Sequence, residues 1–161
     1  MMGNSWRGLG GRSGILFRAL VVAATTWAAN AGAGPLGPPT GFPAGLEVTD
    51  TAVGTGPVVG RGDIVAVAYT GYLLDASAPA GHGRKFDSSA DHGGEPFVFR
   101  LGKGSVIPGW DAGITGMQRG GQRRLVIPPA LAYGSRGIPR RIPPNASLVF
   151  EVTLVSLQVM D

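Results

Sequence analysis

Cysteine is absent from the 161 residues. That single absence excludes disulfides, thiolate metal centres and a cysteine nucleophile, and it leaves the redox compartment unmarked. Histidine is nearly as scarce, with His82 and His92 alone. These two imidazoles are the only ordinary bases near neutral pH, and both sit in glycine-flanked, loop-like sequence. A metal set drawn from His82, Asp87, Asp91 and His92 has neither the spacing nor a helix to carry it, so no metal and no cofactor are expected. Ser105 lies in Gly104-Ser105-Val106, which is not a nucleophile elbow. Acidic residues are missing before Glu47, and no apolar run is long enough to span a bilayer comfortably.

What is present is 28 Gly, 13 Pro, a hydrophobic fraction of 43% and a charged fraction of 15%. So few charges beside so many apolar residues describe a chain with a packed core, and the length allows one domain. The net charge of +4 hints at nucleic acid until it is divided along the chain. Arg7, Arg12 and Arg18 are the only charges in residues 1–45, leaving 11 basic against 10 acidic residues in the remainder. The basicity belongs largely to the first segment, and the domain has no electrostatic case for a phosphate backbone.

Residues 1–33 have a basic start, the short alanine-rich run Ala19–Ala29, and small residues at A-x-A spacing in Ala29-Asn30-Ala31-Gly32-Ala33. This is the pattern of a cleavable targeting leader, with no stable membrane insertion and a mature start near residue 34. Residues 34–44, with Pro35, Pro38, Pro39 and Pro43, read as a linker. The dinucleotide-fingerprint match in Gly32–Gly37 has no strand before it and a proline inside it, and is treated as chance. Acid-poor, Arg-bearing leaders serve several routes. The expected destination is a thylakoid lumen or a periplasm-like space, with the secretory pathway as the alternative. The terminal Gln158-Val159-Met160-Asp161 is not a retention tetrapeptide, and the sequon Asn145-Ala146-Ser147 matters only in a secretory lumen.

Residues 45–161 read as short strands separated by turn residues. Leu46–Val53, Ile64–Tyr69, Phe97–Arg100 and Arg123–Ile127 fit strands. The clearest is the last, where Leu148, Phe150, Val152 and Leu154 share one face while Glu151 and Thr153 alternate outward. One short helix starts at Pro108, runs through Trp110, Asp111 and Ala112, and fades at Gly113–Gly116. Five strands against one helix predict an α+β domain with an antiparallel sheet. Aromatics collect at segment ends. Phe99 reads as ordinary core, whereas Tyr69, Trp110 and Tyr133 each carry a polar atom that needs a partner when buried.

Seven motifs, in order, then carry a resemblance over essentially all of residues 45–159. They are Tyr69-Thr70-Gly71, Lys85-Phe86-Asp87-Ser88-Ser89, Pro96-Phe97-Val98-Phe99 and Val106-Ile107-Pro108-Gly109-Trp110-Asp111. Gly120-Gly121-Gln122-Arg123-Arg124-Leu125, Ile127-Pro128-Pro129-Ala130-Leu131-Ala132-Tyr133-Gly134 and Ile142-Pro143-Pro144-Asn145-Ala146-Ser147-Leu148-Val149-Phe150 follow. The chain resembles the FKBPs, macrolide-binding peptidyl-prolyl cis-trans isomerases, with wording most similar to bacterial and plastid members. The resemblance implies a curved five-stranded antiparallel sheet around the helix, with an apolar pocket floored by Trp110. Tyr69, Asp87, Trp110, Tyr133 and Phe150 match the family's catalytic positions, and Phe86, Phe97, Val106, Ile107 and Ile142 match its substrate-binding ones. Tyr133 hydroxyl and the Ile107 backbone N–H would donate to peptide carbonyls, with Asp87 orienting polar groups at the rim. The implied partners are proline-containing polypeptides and tacrolimus- or rapamycin-type macrolides, met by a monomer that binds no nucleic acid. The alternative is a non-catalytic FKBP-like binding module.

Three departures from the family pattern stand out. Ala76–Gly83 lengthens the segment between Tyr69 and Phe86 and reads as a floppy surface loop whose loss changes stability little. His92 lies about where many relatives carry another basic residue. Ile138-Pro139-Arg140-Arg141 places charge where an apolar residue is common.

Overall fold

The computed structural model describes residues 41–160; the leader 1–33 and most of the 34–44 linker lie outside the described residues. Strands β1 (Glu47–Ala52), β2 (Thr55–Val58), β3 (Ile64–Leu74), β4 (His82–Ser88) and β5 (Phe97–Arg100) precede the helix α1 (Pro108–Gly113). After it come β6 (Gln118–Arg119), β7 (Gln122–Ile127) and β8 (Leu148–Gln158). The main sheet runs β1-β7-β8-β3-β4, all antiparallel, and β2 and β6 form a separate two-stranded ribbon. The main sheet is built around the β3–β8 pair, which runs from Ile64 opposite Gln158 to Leu73 opposite Leu148 with one register shift between Ala66 and Val67. Both strands are rich in Val, Ile, Leu and aromatic residues, which fit a pleated surface packed on one side.

The sheet is five strands wide, although six strands build it. β5 pairs with the first half of β3 (Ile64–Val67), and β4 takes the same edge over Thr70–Leu74. Within this sheet β4 is the strand that the sequence pattern lacks, as it also lacks the short β2 and β6 of the separate ribbon. His82–Ser88 has no apolar alternation, and its pairing carries two register shifts. It holds its place through β3 rather than through its own pattern.

The core lies between the concave face and α1. Val65, Val67, Leu125, Ile127, Leu148, Phe150, Val152 and Leu154 point into it from the sheet, and Trp110 and Ile114 from the helix end. Pro108 occupies the first helical turn, where its missing N–H costs nothing. Gly109 and Gly113 let the helix press onto β7, since a methyl on Gly109 would collide with Ile127 and one on Gly113 would come within 2.7 Å of Leu125.

The insert makes specific contacts with the sheet. Its Ala76–Gly83 segment folds back over the outer face of the sheet. Arg124 Nη2 donates to Ala80 O at 2.5 Å, and His82 Nε2 meets Glu151 Oε1 at 2.8 Å. The His82 ring stacks on Tyr72, centroids 4.3 Å apart. Beneath it lies Val149, which alternation turns away from the core and which is nevertheless fully buried; a methyl on Gly81 would stand 3.8 Å from Val149 Cγ2. The tertiary contacts of a long surface loop therefore override its composition. Deleting Ala78–His82 uncovers Val149, strands Arg124 and removes the imidazole from Glu151. The expected loss is about 2–3 kcal/mol, the scale of exposing one aliphatic side chain plus a weak ion pair. Urea denaturation of the deletion variant checks this, and a midpoint equal to wild type would return the loop to passenger status.

Candidate functional site

A cavity of about 270 Å³ opens between the concave face and α1. Each wall arrives from a different element: Tyr69 from β3, Phe86 and Asp87 from β4, Phe97 from β5, Phe150 from β8 and Trp110 from α1. Ser105, Val106 and Ile107 come from the loop entering the helix, and Tyr133 from the segment after the short turn Pro129–Leu131. Trp110 is the floor. It is 5% exposed, and its ring lies 5.0 Å from Tyr69, 5.2 Å from Phe150, 5.8 Å from Phe99 and 6.3 Å from Phe97, at tilted or edge-on angles. Such edge contacts hold each ring in one orientation and contribute beyond area burial. Trp110 Nε1 is buried without a hydrogen-bond partner.

The loop before the helix is set by Asp111, whose carboxylate accepts from Gly102 N at 2.8 Å and Gly104 N at 2.9 Å. This holds Ser105–Ile107 against the cavity. Ile107 caps α1 with its carbonyl, accepting from Trp110 N at 2.9 Å, while among the described residues its own N–H donates to no protein group. Asp111 was legible in the sequence only as a helical residue. An Asp that follows two glycine-rich turns and opens a helix is the signal that would have exposed this role.

Among the described residues Asp87 is the only carboxylate lining the cavity. Its Oδ2 accepts from Tyr69 Oη at 2.9 Å, and its Oδ1 meets His92 Nε2 at 2.8 Å and Ser88 N at 3.0 Å. Partial burial pushes the Asp87 pKa up, but the hydrogen bonds from His92, Tyr69 and Ser88 outweigh it and hold the group below the ordinary 3.8. Burial first, and then the Asp87 bond, raise the Tyr69 phenol to about 12. Tyr133 is likewise raised, by burial and then by the charge on Asp87. Around neutral pH the rim therefore carries one carboxylate whose oxygens are taken and two phenols that keep their protons. Tyr69 spends its proton on Asp87, whereas Tyr133 Oη makes no hydrogen bond among the described residues and is free to donate.

Nine of the ten residues proposed from sequence line this cavity. Ile142 does not: it is 3% exposed in the core, exchanging backbone hydrogen bonds of 2.8 Å with Ile138. Ser105 lines the wall, a position that sequence considered only as a nucleophile. No group of three metal-ligating side chains exists among the described residues; His82 and His92 go to separate carboxylates.

The family model for FKBP-type peptidyl-prolyl cis-trans isomerases matches residues 56–155. The chain belongs to this family. FK506-binding protein 4 of Neurospora crassa is 47% identical over 114 residues, which is 71% of this chain and 22% of that protein. The protein of the same name from Dictyostelium discoideum is 48% identical over 115 residues, 71% of this chain and 29% of that protein. This FKBP thus spans roughly a fifth to under a third of the length of these curated relatives. Among solved structures, AtFKBP13 superposes with a TM-score of 0.62 at 38% identity, covering 73% of this chain and 96% of that one. FkpA from Escherichia coli gives 0.60 at 42% identity, covering 70% and 48%. The isomerase-family domain therefore takes up the described part of the chain, and its curved sheet around a single helix is the fold of these neighbours.

Proposed function

We propose that this FKBP accelerates cis-trans rotation of X–Pro bonds in proline-containing polypeptides, binding the twisted amide in the aromatic cavity. The observation that carries the reading is an apolar box floored by Trp110 with two unspent donors at its edge, the Ile107 N–H and the Tyr133 hydroxyl. Rotation about the amide faces a barrier of about 18–20 kcal/mol because resonance flattens the bond. No covalent bond breaks, so the chemistry asks for no nucleophile. Twisting removes resonance and makes the amide less polar. A dry aromatic cavity then favours the twisted form over the planar one. The two donors hold flanking carbonyls while the bond turns, and the Asp87–Tyr69 bond fixes the ring that forms one wall.

Asp87 is depressed below the ordinary carboxylate value, so its stabilising bonds are fully present above that value and fade only as pH falls through the lower folded one. A group already ionised, with both oxygens bonded, orients the rim and does not accept a proton in the reaction. The test is a proline-isomerisation assay on three proteins. Tyr133→Phe keeps the ring and loses one donor, for an expected fall in kcat/KM of about fivefold, or about 1 kcal/mol. Asp87→Asn is expected to fall modestly with the wild-type pH profile. A steep acid-range titration in wild type that vanishes in Asp87→Asn would falsify the orienting role. A wild-type protein that binds rapamycin yet leaves the peptide rate unchanged would make the domain a non-catalytic binding module.

Macrolide binding belongs to the same proposal, supported by the relatives' names and by the preserved cavity floor. So does action as a monomer, since one chain supplies every wall of the site. We also propose that residues 1–33 are a cleavable leader for a thylakoid lumen or periplasm-like space, or else for the secretory pathway. The acid-free, arginine-bearing start supports it. Intact mass of native protein beginning before Arg7 would sink the leader. Among the described residues no helix is long and apolar enough to cross a membrane.

A further inference from the structure

Between Asp111 and Glu151 the sequence holds six arginines and no acidic residue. Three of them, Arg136, Arg140 and Arg141, lie in the flap that follows Tyr133, and all three side chains are exposed. The flap is a closed turn. Gly137 N donates to Tyr133 O at 3.1 Å, Ile138 N to Ile142 O at 2.8 Å, and Arg141 N to Ile138 O at 3.0 Å. Buried Ile142 anchors the flap in the core, and the neighbouring Arg140 and Arg141 are exposed. Arg84 on β4 reaches the same flap, where its Nη2 donates to the backbone Arg141 O at 2.8 Å. Arg84 lies two residues before Phe86 on β4 and the flap follows Tyr133, so both Arg84 and Arg141 belong to segments that line the cavity.

None of these four arginines takes part in an ion pair among the described residues. Nearby acids are engaged elsewhere: Asp87 with Tyr69 and His92, and Asp91 with Lys85 at 2.9 Å. Exposed, unpaired guanidiniums on segments that line a peptide-sized apolar cavity recognise carboxylates or phosphates on whatever enters it. A nucleic-acid or lipid surface would be met by a broad basic face, but residues 46–161 carry 11 basic and 10 acidic residues and are nearly neutral.

We infer that Arg84 and Arg141, with Arg136 and Arg140 in the same flap, make this site select proline segments bearing an acidic side chain within a residue or two of the proline. The inference rests on the isomerase reading. Acidic peptides gain attraction from several exposed cations at once, in the bound planar and twisted states alike, so the effect falls on KM rather than kcat.

The test uses the full chain and neutral-capped Ala-X-Pro-Ala and Ala-Pro-X-Ala peptides with X = Glu, Gln or Leu, followed by NMR exchange and by titration for Kd. In at least one of the two series, Glu is expected to exceed Gln by about fivefold in kcat/KM at low salt, the scale of one or two exposed ion pairs. The preference should fall toward unity near 1 M salt, where screening acts over about 3 Å. The double variant Arg84→Gln, Arg141→Gln should bring the Glu-to-Gln ratio to about one. Equal rates for Glu and Gln in wild type at low salt, in both series, overturn the inference and leave the isomerase reading standing. Tighter Kd for Glu peptides with no acceleration of any peptide supports the acidic selectivity and sinks the isomerase reading. Arginine-dependent binding of duplex DNA or anionic vesicles without a Glu preference overturns the inference as well.

Discussion

Phe150→Ala is expected to lose about 3–5 kcal/mol of stability, the range for truncating a buried aromatic side chain. The residue is 3% exposed on β8, and its ring packs 5.2 Å from Trp110, 5.5 Å from Phe86 and 6.2 Å from Tyr69. Removing it deletes one ring from each of three aromatic contacts, and the rigid strand pair β3–β8 cannot close over the gap. The same truncation opens the cavity toward the core, so affinity for any occupant falls with stability. Thermal or urea unfolding gives the number. A loss below about 1 kcal/mol would show that the neighbouring rings collapse into the space, and the cavity would then be a softer structure than its packing implies.

Arg123→Leu is expected to cost about 3 kcal/mol. The guanidinium is 3% exposed, donates to Asp50 Oδ1 at 2.6 Å and Oδ2 at 3.0 Å, and with Nη1 meets Gly113 O at 2.7 Å and Thr115 O at 3.0 Å. One side chain thus ties β1 to β7 and caps the C-terminal end of α1, the helix that carries Trp110. Leucine leaves two carbonyls at the helix end without donors, each worth about 1–3 kcal/mol if it stays dry. Asp50→Asn is expected to cost under about 1 kcal/mol, because the Asp50 side chain is 40% exposed and water replaces part of what it loses. Comparing the two by urea denaturation separates the ion pair from the helix cap. Equal losses would assign the effect to the pair alone.

Much of this was legible in residues 45–161. The alternation of Leu148, Phe150, Val152 and Leu154 is a strand with one buried face whatever surrounds it, and Pro108 before Trp110 marks a helix start. Both signals are local, because periodicity and the first helical turn depend on neighbours a few residues away. The ordered motifs likewise brought nine of the ten proposed site residues to one cavity. β4 was invisible because His82–Ser88 has no pattern of its own and exists as a strand only through β3. Ile142 was misplaced for a related reason. The resemblance places Ile142 among the substrate-binding positions, while the closed Ile138–Ile142 turn puts it in the core and leaves Arg140 and Arg141 exposed.

Sequence by itself determined the class of this protein: an α+β isomerase-family domain without cysteine chemistry, after an acid-free start. Those properties follow from composition, short-range alternation and ordered motifs, which are one-dimensional. Only the tertiary structure decided that the Ala76–Gly83 insert covers Val149 instead of waving in solvent, that Asp111 sets the loop bearing Ile107, and that Arg84 joins the flap arginines. Each of these depends on groups far apart in the chain, 57 residues for Arg84 and Arg141 and 69 for His82 and Glu151. Contacts of that range are made by the sheet that brings the strands together, and no local pattern encodes them.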